Sequence, residues 1–304
     1  MLGNSSAGKT TYMAALYYRM TNGLYDYKMR YDQWANYWYK HYILNNQLYT
    51  LTESTKEENE LNLVSGNLCK GIYPPPTAIR QEYVFKMRYR NFNEIEFNWF
   101  DYRGGALMER SNQSSDTADL ISKITNADAL VVFLDGTKLE EPIGRNERNF
   151  RRIVYLVKSA ISNIPVNDGV YFPISFVITK DDICNNVLDS EGFTFFWNNI
   201  LNDISQSNKV AALITWATIN RENIYNVQWP LFFSINHCMY KFMQEVISSY
   251  QSRENNRGFF DSICEWWTDD DKKNTRKVID QLQESSKVLQ QILDKENRNS
   301  LLLI

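Results

Sequence analysis

Gly3-Asn4-Ser5-Ser6-Ala7-Gly8-Lys9-Thr10 is the stretch that decides the fold, because it matches the pattern G-x-x-x-x-G-K-[ST] in full. A loop of this kind wraps anionic phosphates with backbone N–H groups, and its glycines allow the backbone to approach closely. The helix that follows directs its positive end at the same charge. We expect Lys9 to reach the β- and γ-phosphates of a nucleotide and the Thr10 hydroxyl to bind Mg²⁺.

The helix that this loop requires is predicted by apolar spacing. Residues 9–20 place Met13, Leu16, Tyr17 and Met20 at helical intervals. The loop and the first helical turn are expected to contact the nucleotide through nine residues, which are Gly3, Asn4, Ser5, Ser6, Ala7, Gly8, Lys9, Thr10 and Thr11.

The strand before the loop departs from the pattern. A phosphate-binding loop ordinarily follows a buried strand, whereas only Met1 and Leu2 precede Gly3. Three explanations are open: the natural chain begins further upstream, the first strand has been trimmed, or the protein lacks that strand and binds nucleotide poorly. We favour an upstream segment, because the other segments of the expected site are present in order.

A second site segment, Asp101-Tyr102-Arg103-Gly104-Gly105, follows an apolar strand and fits the pattern D-x-x-G. Residues 83–89 and 95–100 are predicted to be two strands joined in a hairpin. A carboxylate at a strand end can hold Mg²⁺ through water, so Asp101 is a predicted metal ligand. The Gly104 N–H is expected to contact the γ-phosphate.

A third segment, Thr179-Lys180-Asp181-Asp182, follows the apolar strand 174–178 and fits [NT]-K-x-D. Asp182 can accept hydrogen bonds from the N1–H and 2-amino groups of guanine, which adenine lacks, while the stem of Lys180 covers the base. Thr215-Trp216-Ala217 is our candidate for a further base contact through Ala217, and an ordinary strand end is an equal alternative.

A fourth segment, Pro74-Pro75-Pro76-Thr77, stands just before the hairpin. Thr77 is predicted to close over Mg²⁺ and the γ-phosphate. A proline-rich loop with a purely structural role is the alternative.

These four segments resemble the P-loop GTPases of the Ras-like, translation-factor-related (TRAFAC) class, over about residues 1–250. More narrowly, GNSSAGKTTYMAALY, GIYPPPT and FDYRGG are similar to segments of the bacterial double-GTPase group. The resemblance implies a Ras-like three-layer α/β fold whose mostly parallel sheet has one antiparallel hairpin strand. It also implies Mg²⁺-dependent binding of GTP and GDP, GTP hydrolysis, a switch role and a bacterial conflict or defence setting.

One position departs from the family, since Gly105 stands where many GTPases place the glutamine that orients the attacking water. We therefore expect slow hydrolysis, unless Arg103, Glu109 or Arg110 positions the water or Arg80 neutralises transition-state charge. Surface or structural roles are open for each of them. A nucleotide-bound scaffold with negligible hydrolysis is the alternative function, and a P-loop ATPase of another lineage leaves the third segment unexplained.

Composition excludes several other classes of protein. The chain of 304 residues is 43% hydrophobic with only 12 glycines and 7 prolines, which favours a packed core over disorder. A net charge of −3 without a basic stripe argues against a nucleic-acid partner. Two histidines and four scattered cysteines argue against a zinc site or a disulfide framework. With no long apolar run and no signal-peptide pattern, we predict a cytoplasmic protein without membrane contact.

Alternating strands and helices predict an α/β fold with a mostly parallel sheet. Residues 1–250 are assigned to the GTPase domain, with a partly helical insertion at 23–70 and a C-terminal helical extension at 251–304 that includes a helix at about 272–297. Either appendage is a candidate for protein partners or self-association. For the C-terminal helix, docking on its own domain is the favoured interpretation and a partner-binding coiled coil is the alternative. The other predicted elements are strands at 129–134, 174–178 and 211–218 and helices at 115–125, 147–162, 193–206 and 229–250.

Overall fold

The computed structural model describes residues 1–4, 6–22, 50–53, 64–68, 70–75, 81–88, 95–101, 122–124, 126–164, 171–207, 209–220, 223–235, 237–238, 241 and 301–303. Most of the predicted insertion and nearly all of the C-terminal extension, including the helix predicted at 272–297, lie outside these residues. The predicted helix at 115–125 lies there too, except for helical residues 122–124.

Four parallel strands form the centre of the main sheet, in the order β1-β5-β6-β7. Two short strands, β8 and β9, pair with β7 in antiparallel fashion. The bounds of these strands are β1 Leu2–Gly3, β5 Leu130–Asp135, β6 Phe172–Thr179, β7 Val210–Ile219, β8 Ile224–Tyr225 and β9 Leu301–Leu303.

A second sheet is antiparallel and has the order β2-β3-β4, with β2 at Thr50–Glu53, β3 at Gln81–Arg88 and β4 at Ile95–Asp101. The predicted hairpin is confirmed, because β3 and β4 pair from Gln81↔Asp101 to Met87↔Ile95. The prediction of a single antiparallel hairpin strand was too simple. A further strand, β2, lies within the segment that we expected to be a partly helical insertion, together with helical residues 64–68.

Four helices accompany the strands: α1 Lys9–Asn22, α2 Gly136–Glu140, α3 Ile143–Asn163 and α4 Glu191–Ser207. Three of them confirm predictions, with ends within a few residues of the expected ones, while the short α2 was not predicted. Residues 229–235 are also helical, which confirms the start of the helix predicted at 229–250.

Successive side chains of a parallel strand lie on opposite faces of the main sheet, and the sheet therefore divides the core into two clusters. On β5, Val132 and Leu134 pack with apolar residues of α3 and α4, whereas Val131 and Phe133 pack with α1 and the helical residues 229–235. Strands covered by helices on both faces are almost wholly apolar, and every residue of β5 is buried. The main sheet is therefore the middle layer of three.

The second sheet shares the core of α1. Tyr83 and Phe85 of β3 and Trp99 of β4 belong to the same buried cluster as the helix, and the rings of Tyr17 and Phe85 lie 6.4 Å apart. The Met1 nitrogen, directly before β1, also donates a hydrogen bond to the Phe100 carbonyl oxygen at 2.8 Å. Helix α1 and Met1 thus hold the end of β4 beside the main sheet.

Candidate functional site

The loop between β1 and α1 is compact and uses left-handed backbone at two positions. Ser6 has a φ of 66° and Gly8 a φ of 79°, and the Ala7 N–H donates to the Asn4 carbonyl oxygen at 3.2 Å. A Cβ atom at Gly3 would lie 2.9 Å from the carbonyl oxygen of Phe133, so the close packing of β1 on β5 requires glycine. Helix α1 begins at Lys9, where the motif requires a helix.

Lys9 lies beneath this loop and is only 6% exposed. Its ammonium group donates to the carbonyl oxygens of Gly3 at 2.9 Å and Asn4 at 3.1 Å. Burial lowers the pKa of Lys9, and the negative charge of Asp101 partly opposes that shift. The two hydrogen bonds therefore hold the Lys9 side chain against the backbone of the loop.

Thr10 and Asp101 meet although 91 residues separate them along the chain. The Thr10 hydroxyl donates to Oδ2 of Asp101 at 2.8 Å, and Asp101 is 0% exposed at the end of β4. A carboxylate and a hydroxyl are hard oxygen donors, which Mg²⁺ prefers when it retains waters and phosphate oxygens as its remaining ligands. These residues fit the predicted metal. In the described part of the chain, no cluster of three or more His, Cys, Asp or Glu side chains forms a metal site.

Thr179, the last residue of β6, contacts the loop across β5. Its hydroxyl lies 3.1 Å from the Ala7 carbonyl oxygen and 3.2 Å from that of Leu134, within hydrogen-bond distance of both. A Cβ atom at Gly8 would lie 3.6 Å from the Thr179 methyl group. Thr179 was predicted as a nucleotide contact, and in the structure its side chain joins the loop to β5 and β6.

Lys180 follows β6 in a left-handed conformation with a φ of 61°. Its ammonium group forms an ion pair with Asp135 at 2.6 Å. Asp135 also caps α2, because its other carboxylate oxygen accepts from the N–H and the hydroxyl of Thr137. Sequence reasoning missed Asp135, although an aspartate directly after a buried strand is a recognisable signal.

Asp182 lies on a single 3-10 turn, Asp181–Ile183, and its side chain is exposed. Oδ2 of Asp182 accepts a hydrogen bond from the side-chain amide of Asn220 at 2.8 Å. Asn220 follows the last residue of β7 and belongs to no motif. Ala217, our candidate for a further base contact, lies inside β7, pairs with Thr179 and is 0% exposed.

The predicted site residues thus lie where three strands end, β1 and β6 in the main sheet and β4 in the second sheet. The structure brings together Lys9, Thr10 and Asp101 at one end and Lys180 and Asp182 at the other. Thr11 is half-buried in the first turn of α1. The remaining predicted site residues lie outside the described residues, and these are Ser5, Thr77, Arg80, Arg103 and Gly104. Gly105, Glu109 and Arg110 lie there as well.

No protein-family model matches the chain. No curated protein and no solved structure matches it either. Among the described residues, no helix has the length and apolar character needed to cross a membrane.

Proposed function

We propose that this chain is a Mg²⁺-dependent GTP-binding protein with a Ras-like fold that hydrolyses GTP slowly and acts as a molecular switch. The observation that carries the proposal is that three of the predicted segments lie where strands end. Lys9 and Thr10 follow β1 and Asp182 follows β6 in the main sheet, with β5 between these strands. Thr10 donates a hydrogen bond to Asp101, the last residue of β4 in the second sheet. Ligands of open α/β sheets bind at the carboxyl ends of the strands, which is where these residues lie.

The phosphate end would bind through the backbone of the loop, the Lys9 ammonium group and the N-terminus of α1. Thr10 and Asp101 would hold Mg²⁺, which when bound neutralises phosphate charge and orients the phosphoryl group. The buried position of Asp101 supports this role, because a buried carboxylate that faces a cation strengthens the interaction.

The base end would select guanine over adenine. Asp182 presents an exposed carboxylate that can accept from both donors on the edge of guanine. The ion pair with Asp135 places the stem of Lys180 beside this turn, where it can cover the base.

Slow turnover follows from Gly105, which has no side chain to position the attacking water. A nucleotide-bound scaffold with negligible hydrolysis is the second candidate, and the same glycine favours it. Phosphate release under single-turnover conditions separates the two, because a scaffold releases none.

The defence setting and a protein partner bound through the insertion or the C-terminal helix rest on the resemblance alone.

Nucleotide affinity tests the proposal directly. We expect GDP to bind more tightly than ADP, and Asp182→Ala to weaken GDP binding about 10- to 100-fold because charge-assisted hydrogen bonds to the base are lost. Lys9→Ala should weaken both nucleotides by a similar factor, since it removes a phosphate contact. Equal affinity for ADP and GDP, unchanged by Asp182→Ala, would exclude guanine recognition.

A further inference from the structure

The turn between β7 and β8 carries an asparagine outside every motif in the chain. Asn220 directly follows β7, and its Nδ2 donates to Oδ2 of Asp182 at 2.8 Å, across 38 residues of sequence. We propose that Asn220 is the positioning residue that holds the Asp182 carboxylate ready for a guanine base. This inference rests on the proposed function and concerns the selectivity of the same site.

The orientation of the Asn220 amide follows from its contacts with Asp182 and Asn223. Its Oδ1 accepts a hydrogen bond from the Asn223 backbone N–H at 2.9 Å. A backbone N–H can only donate and an ionised carboxylate can only accept, so the amide oxygen must face Asn223 and the amide nitrogen must face Asp182. The reverse orientation would place two acceptors against each other and two donors against each other.

The turn itself is anchored to the sheet. The Asn220 N–H donates to the Asn223 carbonyl oxygen at 2.9 Å, and β7 and β8 pair immediately beside them at Ile219↔Ile224. The Tyr225 hydroxyl donates to Oδ1 of Asn223 at 2.9 Å. Because β7 is a largely buried strand, the Asn220 amide is fixed to a rigid element rather than to a free loop.

Asp182 requires such an anchor, since it stands on an exposed single turn beside another carboxylate. The pKa of the neighbouring Asp181 is raised, first by burial and then by the charge of Asp182, so the two carboxylates repel each other. A donor that holds one carboxylate oxygen reduces the rotamers available to the side chain, and pre-organisation of this kind raises affinity. Each carboxylate oxygen accepts from about two directions, so Asn220 leaves room for the guanine donors.

The decisive variant is Asn220→Asp, which keeps the oxygen that accepts from Asn223 but replaces the donor to Asp182 with a like charge. We expect GDP affinity to fall about fivefold to tenfold, while ADP affinity stays the same, so that the GDP-to-ADP ratio falls by the same factor. Asn220→Ala should lower the ratio in the same direction. Asn223→Ala keeps the backbone N–H that orients the Asn220 amide and removes only the side-chain contact with Tyr225. It is the matched control, and the ratio should fall less than in Asn220→Asp.

A double-mutant cycle completes the experiment, with nucleotide affinities measured by fluorescence titration of the full chain. In the Asp182→Ala background, Asn220→Asp should cause no further loss of GDP affinity. An Asn220→Asp variant with the wild-type ratio, or with equal losses for GDP and ADP, would overturn the positioning role. A wild-type protein that does not prefer GDP would instead overturn the proposed function, so the two failures are distinguishable.

Discussion

Thr10 and Asp101 would hold Mg²⁺ in the proposed site, and a hydrogen bond of 2.8 Å joins them. In Thr10→Ala no hydroxyl remains to bind Mg²⁺ or to donate to Asp101, and we expect Mg²⁺-dependent GTP affinity to fall about 10- to 100-fold. Thr10→Ser retains the hydroxyl and should keep most of that affinity. Titration of GTP at several Mg²⁺ concentrations measures the effect, with Thr10→Ser as the matched control. Full Mg²⁺ dependence in Thr10→Ala would contradict the assignment.

The sequence predicts the positions of individual residues well where these residues belong to one continuous motif. The pattern around Gly3–Thr10 predicts where α1 begins, and the structure places Lys9 and Thr10 accordingly. It fails for Asn220, because that residue reaches Asp182 only through the pairing of β7 with β8. A contact that depends on the register of two strands leaves no local signal in the chain.

Helices α3 and α4 offer a matched test at the scale of elements, since each has glycine as its second residue. A Cβ atom at Gly192 of α4 would lie 2.5 Å from the Leu139 carbonyl oxygen of α2, whereas a Cβ atom at Gly144 of α3 would have no neighbour within 4 Å. Gly192→Ala should therefore cost about 1–3 kcal/mol of unfolding free energy, because α2 and α4 must separate. Gly144→Ala should be neutral or stabilise by up to about 1 kcal/mol.

Urea unfolding of both glycine variants measures the difference, with midpoints compared at equal slope. Equal midpoints would show that α4 does not depend on its contact with α2.

Neither α2 nor its contact with α4 was predicted, because five residues are too few for helical periodicity to show. By contrast, the apolar run of β5 and the amphipathic face of α3 carry strong periodic signals, and both elements were predicted.

At the scale of the whole molecule, a nucleotide would bridge the two sheets, since Asp101 belongs to the second sheet and Asp182 follows β6 of the first. GDP with Mg²⁺ at about 100 times its dissociation constant should raise the unfolding free energy by about 2.7 kcal/mol. Because the ligand contacts both sheets, amide hydrogen exchange should slow in β4 as well as in β6. Lys9→Ala provides the control: the same GDP concentration should raise its unfolding free energy by less than it raises that of the wild-type protein, each measured against its own ligand-free value. Slower exchange confined to the main sheet would show that Asp101 does not take part in binding, and the metal end of the site would then lie elsewhere.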